Sequence, residues 1–304
     1  MKITLAQINP TVGALNENAD KIIEVIREYS NKTDLIIFPE MVLTGYPPED
    51  LLLESVFIKN TDKMLYAIAK ETGKIPVIIG TIRREKDKLY NSAAILQAGG
   101  IIGYRDKTLL PTYDVFDEDR YFTPADKIHP INIEINGKKI IVGVEICEDM
   151  WDSCYDVKVS KLLSDQGADL FINISSSPFS INRQSERINI AIDKAKKFKK
   201  YFIYCNLVGA QDELVFDGAS FAVGPNGNLI GLAQSFHQDI FTIDLKQSDK
   251  IKIPTYQIEE QIFNALVLGV KDYFRKTGHK QAVIGLSGGI DSALTAVIAA
   301  KALG

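Results

Sequence analysis

Short runs dense in Ile and Val alternate along the chain with longer stretches whose apolar residues recur at helical spacing. A strand buried on both faces reads as a nearly unbroken apolar run, and a helix that covers it shows a single apolar face. Repeated in this order, the two patterns specify an α/β fold in which helices shield the sheets, an α/β sandwich. Candidate strands are MKITLAQI, DLIIFPE, IPVIIGTI, NSAAILQ, IIGYRD, KIIVGVEI, ADLFINIS, YFIYCNLV, ASFAVG and NLIGLA. Asn16 to Tyr29 sets Ala19, Ile22, Ile23 and Ile26 on one helical face, and Arg183 to Lys200 does the same with Ile188, Ala191, Ile192 and Ala195. QAGGII and GPNGNLI are glycine-rich turns between adjacent strands, so hairpins are expected and the sheet is not purely parallel.

The chain is long enough for one large domain and part of a second: 304 residues, 46% hydrophobic and 24% charged. Its net charge of −4, with acids and bases interspersed, argues against nucleic acid or an anionic membrane as the main partner and favours a small molecule. MKITLAQINP lacks the apolar core of a secretory signal, and no run approaches the ~18 apolar residues of a membrane helix, so a cytoplasmic location is expected. Cys147, Cys154 and Cys205 show no CxxC or CxH spacing, which makes them reduced thiols rather than a disulfide framework or zinc site.

After FTIDL the pattern changes. KQSDKIKIPTYQIEEQ is polar and contains a proline, and residues 246–257 read as a linker. A helix is expected from about Ile258 to Lys276, followed in QAVIGLSGGIDSALTAVIAAKALG by an apolar strand, a Gly-Gly turn and an Ala-rich helix. One strand and two helices cannot bury a core of their own. Residues 1–245 therefore read as one domain, and 258–304 as the opening of another.

The chemistry centres on VGVEICEDMW, where an apolar strand delivers Cys147 ahead of two acids. A free cysteine has a pKa of about 8.5 and needs a base to attack a carbonyl near neutral pH. His129, His237 and His279 sit in no recognisable motif, so they read as structural, as do Cys154 and Cys205. Glu40 ends a strand in FPEMVLTGY, and Lys107 follows another in RDKTLLPTYDVFDEDRYF. A desolvated carboxylate can take the thiol proton, and an ammonium both favours the thiolate and donates to an oxyanion. Taken singly, each residue has a plainer reading as a surface acid, a solvated lysine or a small core side chain.

Together the three stretches resemble the catalytic Glu-Lys-Cys set of the nitrilase superfamily, whose members cleave carbon–nitrogen bonds; the resemblance spans about Met1 to Leu245. It implies an αββα sandwich with its site at strand ends, and a homo-oligomer. It further implies Glu40 as base, Lys107 as oxyanion partner, Cys147 as nucleophile, and Glu118 as the acid that orients Lys107. No cofactor is implied for this domain. The Glu148 backbone N–H is expected to join the oxyanion site, with the Glu148 and Asp149 charges turned away from the sulfur.

GLSGGIDSA, Gly285 to Ala293, lacks the lysine of a Walker A loop, but its backbone N–H groups and the following helix N-terminus can cradle phosphate. A glycine-rich turn before a buried helix is the plainer reading. The stretch resembles the SGGxDS loop of ATP pyrophosphatases, which implies ATP contacts from Ser287, Gly288, Gly289, Ile290, Asp291 and Ser292, with Asp291 on Mg²⁺. A nitrilase-like domain ahead of such a loop resembles the glutamine-dependent NAD⁺ synthetase family. That resemblance implies hydrolysis of L-glutamine through a Cys147 thioester. The ammonia would amidate nicotinate adenine dinucleotide (NaAD) with ATP, and Tyr113, Ser177 and Arg183 would hold glutamine. Two other readings stay open: a stand-alone amidase or carbamoylase, and a binding module without turnover. Ser177 as a loop residue and Arg183 as a helix-start ion pair stay open with them.

Overall fold

A computed structural model describes residues 1–246, 249–255 and 257–304. Residues 247, 248 and 256 of the expected linker lie outside the described residues. The first half of the chain contains β1 (Lys2–Gln7), α1 (Leu15–Tyr29), β2 (Leu35–Ile37), α2 (Ser55–Glu71), β3 (Val77–Glu85), β4 (Lys88–Gln97) and β5 (Gly100–Asp106). The second half runs through β6 (Ile131–Ile135), β7 (Lys138–Ile146), α3 (Val159–Asp165), β8 (Leu170–Ser175), α4 (Arg183–Phe198) and β9 (Tyr201–Asn206). It continues with β10 (Val208–Gln211), β11 (Leu214–Asp217), β12 (Phe221–Val223), β13 (Leu229–Leu232) and β14 (Asp239–Asp244). Two helices follow, α5 (Ile258–Thr277) and α6 (Ile290–Leu303).

Two six-stranded sheets result, ordered β14-β1-β2-β3-β4-β5 and β13-β12-β9-β8-β7-β6, with β10 and β11 forming a separate hairpin. Strands β1, β2 and β3 pair in parallel, as do β7, β8 and β9, while the glycine-rich turns make antiparallel pairs of β4 with β5 and β12 with β13. The outer strand β14 returns to pair with β1, setting Ile243 opposite Ile3.

Strand alternation sorts the side chains. Ile3, Leu5, Ile37 and Ile95 of one sheet meet Val144, Ile146, Ile172 and Ile203 of the other in a shared core. Ala6, Ile36 and Ile79 point outward under α1 and α2, and Phe171 and Phe202 do so under α3 and α4. The layers are therefore αββα. Each fully buried Ile or Leu contributes about 1.5–3 kcal/mol, so these faces carry most of the fold's stability.

Helix α5 rests on the β10–β11 hairpin through Ala265 and Leu268, and α6 packs against α5. The strand expected at QAVIG is not formed: residues 281–285 pair with no strand, and the Val283 side chain is fully exposed. A strand needs a partner, and no described strand lies beside this one. Among the described residues, no helix is long and apolar enough to cross a membrane.

Candidate active site

Four strand ends converge at one end of the sandwich. The chain leaving β2 carries Glu40, and it can approach β3 only because residue 80 is glycine. A Cβ there would lie 2.3 Å from both Pro39 O and Met41 N. Gly80 N donates to Pro39 O at 3.1 Å, which locks this turn to the sheet. Glu40 is fully buried. Its Oε1 accepts from Lys107 Nζ at 2.9 Å and Asn91 Nδ2 at 2.7 Å, and its Oε2 accepts from Ser176 N at 2.7 Å.

Lys107, immediately after β5, is buried between two carboxylates, with Nζ also 2.8 Å from Glu118 Oε1. That oxygen takes a further hydrogen bond from Tyr46 OH at 3.0 Å. Burial opposes the ammonium, but the charges of Glu118 and Glu40 outweigh it and raise the Lys107 pKa well above its ordinary value. Burial likewise raises the Glu118 carboxyl, with Lys107 pulling the other way. Asp117 and Asp119 are exposed, so Glu118 is the acid of this run that turns inward.

Cys147 follows β7 at φ +41°, in the left-handed region that costs a non-glycine residue about 1–3 kcal/mol. The turn is braced by Asn173 Nδ2, which donates to Cys147 O at 3.3 Å. Burial and the Glu40 charge push the thiol well above its ordinary pKa, and Lys107 opposes them without winning. The resting sulfur is therefore protonated. A thiolate can form only as its proton leaves for a neighbouring base.

The two acids after Cys147 divide, against the expectation that both turn away. Asp149 does turn away: Oδ1 accepts from Thr108 N at 3.0 Å and Leu109 N at 2.9 Å, and Oδ2 accepts from Ile146 N at 3.1 Å. It thus staples the Lys107 loop to the Cys147 turn, with Arg105 Nη2 3.6 Å away. Glu148 instead presents its carboxylate to a cavity of about 210 Å³, whose lining includes Cys147, Tyr113, Trp151, Ser177 and Arg183. Tyr113 OH and Tyr155 OH donate to Glu148 at 2.9 and 2.8 Å. The reason is geometric. The strained Cys147 starts a 3-10 turn, so residues 148 and 149 leave it in different directions.

Ser177 and Arg183 reach the same cavity from the segment after β8. Arg183 is the first residue of α4; its guanidinium lies 5.0 Å from the Trp151 ring centroid and 3.3 Å from Glu186 Oε2, and it remains partly exposed. Ser177 is held from behind by Arg187, whose Nε donates to Ser177 Oγ at 3.2 Å while Nη1 donates to Asp217 Oδ1 at 2.7 Å.

The sequence reading missed Tyr46, Asn91, Ser176, the Glu148 carboxylate with Tyr155, and the buried Arg187–Asp217 pair. One signal was present for Arg187, an arginine beside Ile188 and Ala191 on the apolar face of α4. Cys154 is exposed, and Cys205 is buried with Sγ donating to Ile37 O at 3.4 Å. None of the three histidines lines the cavity.

Residues 287–291 are exposed, Ser292 is half-buried, and none of them lines this cavity. Gly288 takes φ +86°, Ser292 Oγ donates to Gly289 O at 3.0 Å, and Gly289 precedes the first turn of α6. Asp291 opens that helix, and no cluster of three His, Cys, Asp or Glu side chains that could hold a metal occurs among the described residues.

A buried acid, an amine and a thiol beside a polar cavity can add a thiolate to a carbonyl carbon and shuttle protons to its nitrogen. Comparison with known proteins agrees with this chemistry. A model of the NAD synthase family matches residues 262–304. A glutamine-dependent NAD(+) synthetase from Synechocystis sp. is 41% identical over 325 residues, covering 99% of this chain and 57% of that protein. The solved glutamine-dependent NAD⁺ synthetase from Acinetobacter baumannii aligns with TM-score 0.90 at 35% identity, over 100% of this chain and 57% of its own. An amidase of the nitrilase superfamily from Nesterenkonia shares the fold, with TM-score 0.70 at 21% identity over 81% of this chain and 91% of its own. The chain thus spans 57% of the length of the Synechocystis relative. The carbon-nitrogen hydrolase model matches residues 2–254, the whole αββα sandwich with Glu40, Lys107 and Cys147 in it, and the chain belongs to that family.

Proposed function

We propose that residues 1–245 form a glutaminase domain. It would supply ammonia to an ATP-dependent NAD⁺-forming domain that opens at residue 258, with residues 246–257 as the linker. The observation that carries the reading is the pairing of the Glu40–Lys107–Cys147 cluster with a cavity holding both charges a free amino acid needs. Arg183 would take the α-carboxylate and the Glu148 carboxylate the α-ammonium, with Tyr113 and Ser177 as further ligands. A plain aliphatic amide has neither charge. The names of the Synechocystis and Acinetobacter baumannii relatives support glutamine as the nitrogen source.

Glu40 takes the Cys147 proton as sulfur attacks the side-chain amide carbon. Lys107 Nζ and the Glu148 backbone N–H stabilise the oxyanion, while Glu118 fixes the lysine. Glu40 returns the proton to nitrogen, and ammonia leaves a γ-glutamyl thioester. Water, deprotonated by Glu40, attacks the thioester; the sulfur departs as thiolate, recovers its proton and releases glutamate.

Ser287, Gly288, Gly289, Ile290 and Ser292 would contribute to an ATP phosphate cradle. Asp291, a single carboxylate, fits Mg²⁺ as one ligand among phosphate oxygens, the usual way this ion binds at nucleotide sites. The ion would neutralise phosphate charge. NaAD as acceptor, homo-oligomeric assembly and a cytoplasmic location belong to the same proposal.

The test is ammonia release measured with L-glutamine, acetamide and N-carbamoyl amino acids, for the protein and its Cys147→Ala variant. Glutamine turnover that vanishes in the variant is expected. Preference for acetamide or a carbamoyl substrate would replace this reading with a stand-alone amidase or carbamoylase. No turnover of any of them would leave a binding module.

A further inference from the structure

One wall of the cavity is made by Phe179 and Val215, joined by a hydrogen bond from Phe179 N to Val215 O at 2.7 Å. Behind that wall lies α5, in the stretch matched by the NAD synthase model rather than the hydrolase model. Phe179 and Val215 pack against an apolar cluster to which α5 contributes Ala265 and Leu268. The helix comes close at Gly269, where a Cβ would stand 3.6 Å from Val215 Cγ2.

A polar clasp reinforces the apolar contact. Asp272, 2% exposed, accepts through Oδ2 from Ala210 N at 2.8 Å and Asn9 Nδ2 at 2.6 Å. Lys276 Nζ donates to Ala210 O at 2.8 Å, so α5 holds both backbone polar groups of that residue. Arg275 and Lys276 stand 3.2 and 3.6 Å from the carboxylate and balance its charge. Ala210 is the direct ladder partner of Val215, so what α5 fixes on β10 passes to the cavity wall across one rung. Burying a carboxylate costs several kcal/mol before its bonds are made. What this geometry secures in return is position.

We infer that Asp272 is a positioning residue for the hydrolase cavity: by clasping Ala210 it sets Val215 and Phe179 at the spacing that fits the substrate, so the docking of α5 governs substrate affinity. The inference rests on the glutaminase reading for its kinetic readout, but not for its structural one.

The experiment compares Asp272→Asn and Leu268→Ala in the intact protein, with Leu266→Ala on the exposed face of α5 as control. Expected for the first two are a rise of about tenfold in KM for glutamine with kcat within about twofold, faster amide exchange across residues 208–217, and an unchanged rate of Cys147 alkylation by iodoacetamide. The control should match the parent on all three. Unchanged exchange in the hairpin overturns the inference, as does a fall in kcat at constant KM. Should Asp272→Asn not fold, Leu268→Ala decides alone. If the parent protein fails to hydrolyse glutamine, the glutaminase reading falls, and the exchange data still judge the clasp.

Discussion

Two adjacent acids follow Cys147 and serve different ends. Asp149 spends its oxygens on backbone N–H groups, whereas Glu148 keeps its carboxylate at the cavity under two tyrosine hydroxyls. Hydrogen bonds to charged groups are worth about 1.5–3 kcal/mol, so Glu148→Gln should lower kcat/KM for glutamine by about tenfold to a hundredfold. Steady-state kinetics would check this, and a fall confined to kcat would count against an ammonium contact. Glu145 offers a pH test. Its Oε1 accepts from Ser160 Oγ at 2.5 Å; Ser160 in turn takes Lys194 Nζ, which reaches Asp152 Oδ1 at 2.9 Å. Burial pushes the Glu145 carboxyl up to about 7, against the pull of Lys194 and Ser160. A raised carboxyl pKa means that the fold favours the protonated form. The cost of charging it is absent below the unfolded pKa and complete above the folded one. The parent should therefore lose stability relative to Glu145→Gln as pH rises from about 4.5 to about 7, by on the order of 3 kcal/mol. Urea unfolding at pH 5 and pH 8 would measure it, and a constant difference would refute it. Glu40, Lys107 and Cys147 were legible in the sequence because each stands in its own local motif. Asn91 and Ser176 were not, because they meet Glu40 across 51 and 136 residues and nothing local marks them.

Among the elements, the turn after β2 depends most on a neighbour. With Pro39 O and Met41 N so near, any side chain at position 80 must displace the backbone that carries Glu40. Gly80→Ala should cost about 1–3 kcal/mol in overpacking and lower kcat about a hundredfold through displacement of Glu40, the proposed base. Thermal unfolding and turnover should therefore fail together, and retained kcat in a destabilised variant would show that Glu40 had not moved. Strands buried on both faces, such as β8, were legible from composition alone, and the half-exposed β5 and β13 from the glycine-rich turns beside them. Strand β6 escaped because INIEI is short and alternates, α3 because it is only seven residues long, and α2 because exposed Val56 and Tyr66 blur its apolar period. The opposite error at residues 281–285 has the same root. An apolar run declares that it wants burial, but only a partner strand makes it a strand.

At the scale of the whole molecule, β14 ties the end of the sandwich back to its first strand, and strands from both sheets deliver the reactive groups to one end. The α/β character followed from the alternation of apolar runs and amphipathic stretches, and the two-sheet layering from the resemblance to the nitrilase superfamily. The docking of α5 did not, because the polar stretch before it reads as a boundary while its contacts, Ala265, Leu268 and Asp272, are spread along a helix of mixed character. The three sulfurs sit at three depths: Cys154 at the surface, Cys147 at the floor of the cavity, Cys205 sealed between the sheets. A colorimetric titration should count one thiol at once, a second over a longer time and the third only in denaturant; immediate reaction of all three would contradict the buried positions. The surface sulfur will also be the first to oxidise on storage, so two molecules can become bridged through a group that does not line the cavity, and a preparation can change its apparent size with the cavity thiol still reduced.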